Sequence, residues 1–207
     1  IKRMVGTRQN PKQALTLDKL YKILAHIDSN TVKGKRDRAV ILLAFATACR
    51  RSEVVGFDVA DMEATGEGLR LLIKHSKTDQ QSAGQYVTIP SGGRLGVVDA
   101  IADWLCVANI KDGALFRNVN KADKVGGQRR DGKDVARIRK HYVSLAGLNP
   151  SDFSGHSTRR GFVTEAFAHG ADMAKTQQQT RHKSINNLIR YNEDANAFKD
   201  HAGASFL

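Results

Sequence analysis

Cysteine is scarce in this chain of 207 residues: Cys49 and Cys106 are the only two, and they stand far apart. Their scarcity excludes the dense disulfide framework of a small secreted domain, and their spacing excludes a CxxC metal or redox motif. A reduced, cytoplasmic setting is expected. Long apolar runs are missing too. The longest, Ala39 to Cys49, falls short of the ~20 residues needed to span a bilayer, so a soluble protein without a membrane partner is expected. The N-terminus has no signal-peptide pattern, and it opens on Ile1 rather than Met, as a piece of a longer protein would. Acidic side chains are in deficit, 21 against 33 Lys and Arg, for a formal charge of +12. That surplus favours a polyanionic partner, because each phosphate neutralised by Lys or Arg releases condensed counterions.

With 41% apolar residues, the chain can build one good core. Residues 1–14 carry Lys2, Arg3, Arg8 and Lys12 with little periodicity and read as a linker. Thr16 is a fair N-cap for a helix running to about Asp28, with Leu20, Ile23, Leu24 and Ile27 at helical spacing. Lys33 to Arg38 reads as a cationic turn before a helix, Ala39 to Phe45, that is apolar on nearly every side and marks the centre of the core. Beyond Asp61 the period becomes two. Leu69, Leu71 and Ile73 form one strand, Tyr86 to Ile89 a second, and Val59 to Ala64 the first of three in a small antiparallel sheet.

Leu95, Val98, Ile101, Ala102 and Leu105 mark a further helix, in which Trp104 and Cys106 read as packing residues. Residues 117–140 form a basic arm leading into a helix with Val135, Ile138, Tyr142 and Leu145 on one side. Arg129, Arg130, Lys133, Arg137 and Lys140 in this region are candidate contacts to a DNA backbone. The helix after His156 uses Phe162, Val163, Ala166 and Phe167 and stops at Gly170. Another spans Asp172 to about Arg181, and Ser184 caps a last short helix through Leu188. The fold class is α+β, mainly α-helical.

Several stretches carry chemistry. Arg50 directly follows the apolar helix, where an unpaired guanidinium would be costly, so it should meet an anion, Glu53 being the ordinary partner. Gly127 to Lys133 nearly spells a phosphate-binding P-loop but has Asp134 where Ser or Thr is required, so nucleotide hydrolysis is not expected. Between Ser154 and Tyr191 stand Gly155-His156-Ser157-Thr158-Arg159, with His156 and Arg159 three apart, then Arg181-His182-Lys183 and, nine positions beyond His182, Tyr191.

This order resembles the tyrosine recombinases, the phage integrase family. Thr47-Ala48-Cys49-Arg50-Arg51-Ser52-Glu53 is similar to the family's Thr-Gly-Leu-Arg-x-Ser-Glu box, and Thr180-Arg181-His182 stands where members usually end a helix in Leu-Gly-His. The resemblance implies that fold's catalytic domain over residues 15–191, with Arg50, Lys77, His156, Arg159, His182 and Tyr191 as catalytic residues and Glu53 in support. Lys77 belongs to the hairpin that carries the family's lysine, with Lys74 as its rival.

The implied reaction cuts one DNA strand to a 3′-phosphotyrosyl intermediate and rejoins it, without metal or cofactor. The implied partners are a double-stranded recombination site and three further copies of the protein in a tetramer, with a monomer as the alternative for the isolated domain. The family's N-terminal core-binding domain is absent from this chain, and residues 192–207, with Phe198, Phe206 and Leu207, are a tail for docking on a neighbouring subunit. DNA relaxation in the manner of a type IB topoisomerase, and a non-catalytic DNA-binding regulator, stay open as alternatives.

Overall fold

A computed structural model describes residues 12–74 and 84–196 of the chain. Most of the linker, Lys77 with its hairpin connection, and the tail from residue 197 lie outside the described residues. Helix α1 spans Leu17–Leu24 and buries Leu20, Ile23 and Leu24. It ends before Asp28, because the backbone N–H groups of His26 and Ile27 turn to carbonyls three residues back. The Thr16 hydroxyl donates to Asp18 rather than capping the helix.

Helix α2 runs Val32–Ala46, so the basic stretch expected to be a turn is instead its first turns. The Thr31 hydroxyl accepts from the Gly34 N–H and starts the helix there. Arg36 and Asp37 are buried in it as an ion pair at 2.6 Å, and Tyr142 donates to Asp37 at 3.1 Å. The apolar remainder, Ala39 to Phe45, is buried throughout and forms the centre of the core.

After the short helix α3, Arg51–Gly56, a 3-10 turn at Val59–Asp61 is closed by the Asp61 carboxylate on the Asp58 N–H. That turn delays the first strand: β1 is Met62–Thr65, not Val59 to Ala64. Strands β2, Gly68–Ile73, and β3, Gln85–Pro90, complete the expected antiparallel sheet in the order β1-β2-β3, with Leu71 opposite both Met62 and Val87. Leu69, Leu71, Ile73, Val87 and Ile89 face the core.

Helix α4 is Val97–Val107; its Trp104 is fully buried and donates to the Leu115 carbonyl, whereas Cys106 is exposed, contrary to the packing role expected of it. The basic arm is a two-stranded hairpin, β4 Arg117–Val119 with β5 Val125–Arg129, followed by α5, Gly132–Leu145. Val135, Ile138 and Tyr142 of α5 are buried as expected, but Leu145 is 49% exposed. Asp131 and Asp134 occupy the N-terminus of α5 with their own carboxylates, so the stretch that imitates a P-loop presents acid where a phosphate would sit.

Three helices carry the C-terminal motifs: α6 Ser157–Ala168, α7 Met173–Thr180 and α8 Asn186–Ala195. Helix α8 continues through and beyond Tyr191, further than the short helix expected to stop at Leu188. Val163 and Phe167 of α6 and Leu188 of α8 form a small second cluster, against which Tyr191 packs. The position of α6 depends on Gly161, where any Cβ would stand 1.8 Å from the Leu15 carbonyl oxygen. Among the described residues no helix is long and apolar enough to cross a membrane.

Candidate active site

The first arginine is set by a sharp exit from α2. Ala48 is left-handed, φ 49°, and Arg50 then extends into the N-cap position of α3. Glu53, in the first turn of α3, reaches back to the Arg50 N–H at 2.7 Å and accepts from Arg50 Nη1 at 2.7 Å. Burial alone would raise the Glu53 carboxyl, but the charge of Arg181 and the hydrogen bonds from Arg50 outweigh it and hold the group below its ordinary value.

Arg159 projects from the first turn of α6 and is 8% exposed. Its Nη1 donates to the Ala48 carbonyl at 3.2 Å and its Nε lies 3.5 Å from His182 Nε2. Burial first, then Arg181 and Arg50 nearby, lowers its guanidinium to about 10, still fully cationic at neutral pH.

His182 follows α7. Burial, then Arg159, Arg50 and Arg181, lower its imidazole to about 4, so it is neutral at physiological pH. The Thr180 hydroxyl lies 2.7 Å from both His182 Nδ1 and the Thr176 carbonyl. A carbonyl can only accept, so the hydroxyl gives its proton to Thr176 and accepts from His182 Nδ1–H, which leaves Nε2 as the acceptor for Arg159 Nε–H. Two of the three glutamines before His182 bind backbone: Gln177 donates to the His182 carbonyl, while Gln179 exchanges hydrogen bonds with the Thr88 backbone and donates to the Ala46 carbonyl. They tie α7 to β3 and to the end of α2.

Tyr191 reaches the same place from α8. A cleft of about 210 Å³ is lined by Arg50, His156, Arg159, His182 and Tyr191, together with Arg160, whose guanidinium stands 5.5 Å from the Tyr191 ring centroid. His156 is exposed and begins α6, with its carbonyl accepting from the Arg160 N–H, so the i, i+3 spacing does put it on the face of Arg159. Next to this cleft a larger one, about 730 Å³, shares Arg50, His156 and Arg159 and adds Arg51, Ser52 and Lys133. Five of the six expected catalytic side chains therefore converge; Lys77 lies outside the described residues. Its rival Lys74 is paired with Asp61 at 2.7 Å and Asp58 at 3.3 Å.

The candidate DNA contacts divide. Arg129 donates to the Val55 and Phe57 carbonyls and pairs with Asp58, and Arg130 binds Asn118 and Asp134, so both guanidiniums hold the hairpin to the domain. Arg137 pairs with Asp134 but stays 75% exposed, and Lys133 and Lys140 are exposed.

Arg181, like Arg160, belongs to the site without a role in the sequence motifs. It is left-handed, φ 57°, buried, and paired with Glu53 at 2.7 Å. The signal was available: a side chain stands where the Leu-Gly-His pattern has glycine, and Ala48 likewise replaces the glycine of the first box, with the left-handed backbone kept at both places.

A mostly helical domain with a three-stranded antiparallel sheet, three arginines, two histidines and a tyrosine around one cleft has the fold of tyrosine recombinase catalytic domains. The chain belongs to the phage integrase family, whose profile matches residues 13–197. An integrase/recombinase XerD homolog of Selenomonas ruminantium is 39% identical over 204 residues, covering 98% of this chain and 60% of that protein. Tyrosine recombinase XerD of Xanthomonas axonopodis pv. citri is 30% identical, covering 89% and 59%. The chain thus spans about 60% of the length of these two relatives. Among solved structures, the XerH site-specific recombinase in a post-cleavage complex with palindromic difH substrate superposes with a TM-score of 0.70 at 18% identity, covering 91% of this chain and 51% of that one. A lambda integrase dimer bound to a COC′ core site gives 0.63 at 17%, covering 91% and 62%.

Proposed function

We propose that this chain is the catalytic part of a site-specific DNA recombinase that works in the cytoplasm by way of a 3′-phosphotyrosyl intermediate. The observation that carries the reading is the convergence of Arg50, His156, Arg159, His182 and Tyr191 on one small cleft. In-line attack on a phosphodiester builds negative charge on the non-bridging oxygens, and preorganised cations there give the largest single stabilisation. Arg50 and Arg159 are such cations, each offering a planar fork to a phosphate. Neutral His182 accepts from Arg159 Nε–H through Nε2 and so steadies that fork at the cleft.

The Tyr191 oxygen attacks phosphorus, the bond from phosphorus to the 5′ oxygen breaks, and the phosphotyrosyl bond takes its place. The tyrosine proton passes to His156, and the departing 5′ oxygen takes a proton from Lys77. A partner strand's 5′ hydroxyl reverses the step, so the bond energy is conserved and no ATP is consumed. Two such rounds pass through a Holliday junction held by a tetramer, with a preceding DNA-clamping domain supplied by a longer chain and residues 192–207 docking between subunits. Lys133, Arg137 and Lys140 would meet the DNA backbone. The relatives bear recombinase names, which favours this reading over a topoisomerase or a silent regulator.

The test supplies paired recombination sites on one supercoiled plasmid. Exchanged sites would support the proposal; relaxed circles without exchange would replace it with the topoisomerase reading, and specific binding with neither product would replace it with the regulator reading.

A further inference from the structure

The reaction just proposed gives Arg181 no role, yet its placement is unusual. It holds a left-handed backbone that disfavours a side chain, and it buries a guanidinium, which is costly unless well paired. Its charge is paired at one end: Nη2 lies 2.7 Å from Glu53 Oε2 and 3.6 Å from Cys49 Sγ, and Nη1 donates to the Gln179 carbonyl at 3.4 Å, while Nε has no hydrogen-bond partner among the described residues. Glu53 Oε2 also accepts from the Arg50 N–H, while Oε1 accepts from Arg50 Nη1. One carboxylate therefore lies between two guanidiniums, one buried behind the site and one lining the cleft.

This has two consequences. Held from behind, the Glu53 carboxylate keeps one orientation and so fixes the Arg50 side chain. Shared between two cations, it neutralises Arg50 less than an exclusive pair would, leaving more positive charge for an incoming phosphate. We propose that Arg181 is a positioning residue for the phosphate clamp, orienting Arg50 through Glu53 and preserving its charge; this rests on the recombinase reading above.

The test uses a nicked suicide DNA carrying the recombination site, with single-turnover adduct formation and DNA affinity measured separately. Arg181→Gly suits the left-handed backbone and removes the whole side chain, guanidinium included. Its cleavage rate at saturating DNA is expected to fall about 10- to 100-fold, the range for a misplaced reacting group, while DNA affinity stays within about threefold. Arg181→Lys, which keeps the charge, is expected to recover part of that rate.

Wild-type protein that binds the site but forms no adduct would count against the recombinase reading itself. An active wild type with Arg181→Gly equally fast, or slowed only as far as its affinity falls, would overturn the role of Arg181. Should Arg181→Gly be unfolded, Arg181→Gln keeps the bulk and carries the test. If that variant were unfolded too, Arg181 would be a stabilising residue only, and the proposal would fall.

Discussion

Arg159 donates to the carbonyl of Ala48 at 3.2 Å, fastening the second arginine of the cleft to the turn that presents the first. The contact spans 111 positions of sequence and joins α6 to the exit of α2. A lysine at this position has no fork with which to hold the carbonyl and face a phosphate together. Arg159→Lys should therefore lower the single-turnover cleavage rate by about 100- to 1000-fold, the usual effect of losing one donor to a developing oxyanion. Rate measurement at saturating DNA checks this, and a loss below about threefold would detach the contact from catalysis.

Gly161 gives a stability prediction. A Cβ there would stand 1.8 Å from the Leu15 carbonyl oxygen, and backbone cannot move aside as a flexible side chain would. Gly161→Ala should cost about 1–3 kcal/mol or more, as overpacked sites do, and should lower the melting temperature. An unchanged melting temperature would mean that α6 does not lie against this segment.

His182 makes stability depend on pH. Its folded value of about 4 lies below the ordinary 6.5, with burial as the first cause. As pH falls from 6.5 towards 4, the unfolded chain takes up a proton that the folded chain refuses, so stability drops through that window and is retained above it. Allowing for partial exposure, the effect is on the order of 1–2 kcal/mol. His182→Gln should lose less melting temperature than wild type between pH 7 and pH 4.5; equal losses would mean that the imidazole is not held neutral.

What the sequence disclosed and what it hid divide along physical lines. Leu69, Leu71 and Ile73 announced β2 because alternation along a half-buried strand is written directly in residue order, and the cleft was legible because its members fall in short motifs. Partnership was not legible. Arg129 and Arg130 read as free cations, but Asn118 comes to Arg130 only when the hairpin closes, and Val55, Phe57 and Asp58 come to Arg129 only when the hairpin folds against the end of α3 and the residues after it. Arg36 and Asp37 read as part of a cationic turn because a charged pair in the first turns of a helix resembles one until the pair is buried. Arg181 was hidden by the same cause, its acid lying 128 positions away.

The most direct measurement is capture of the protein–DNA adduct on a nicked suicide substrate, comparing wild type with Tyr191→Phe and mapping the attachment by peptide sequencing. The account predicts a wild-type adduct joined through Tyr191 to a 3′ phosphate, with a free 5′ hydroxyl on the other strand end, and no adduct with Tyr191→Phe. An adduct that persists in Tyr191→Phe, or one joined to a 5′ phosphate, would contradict it.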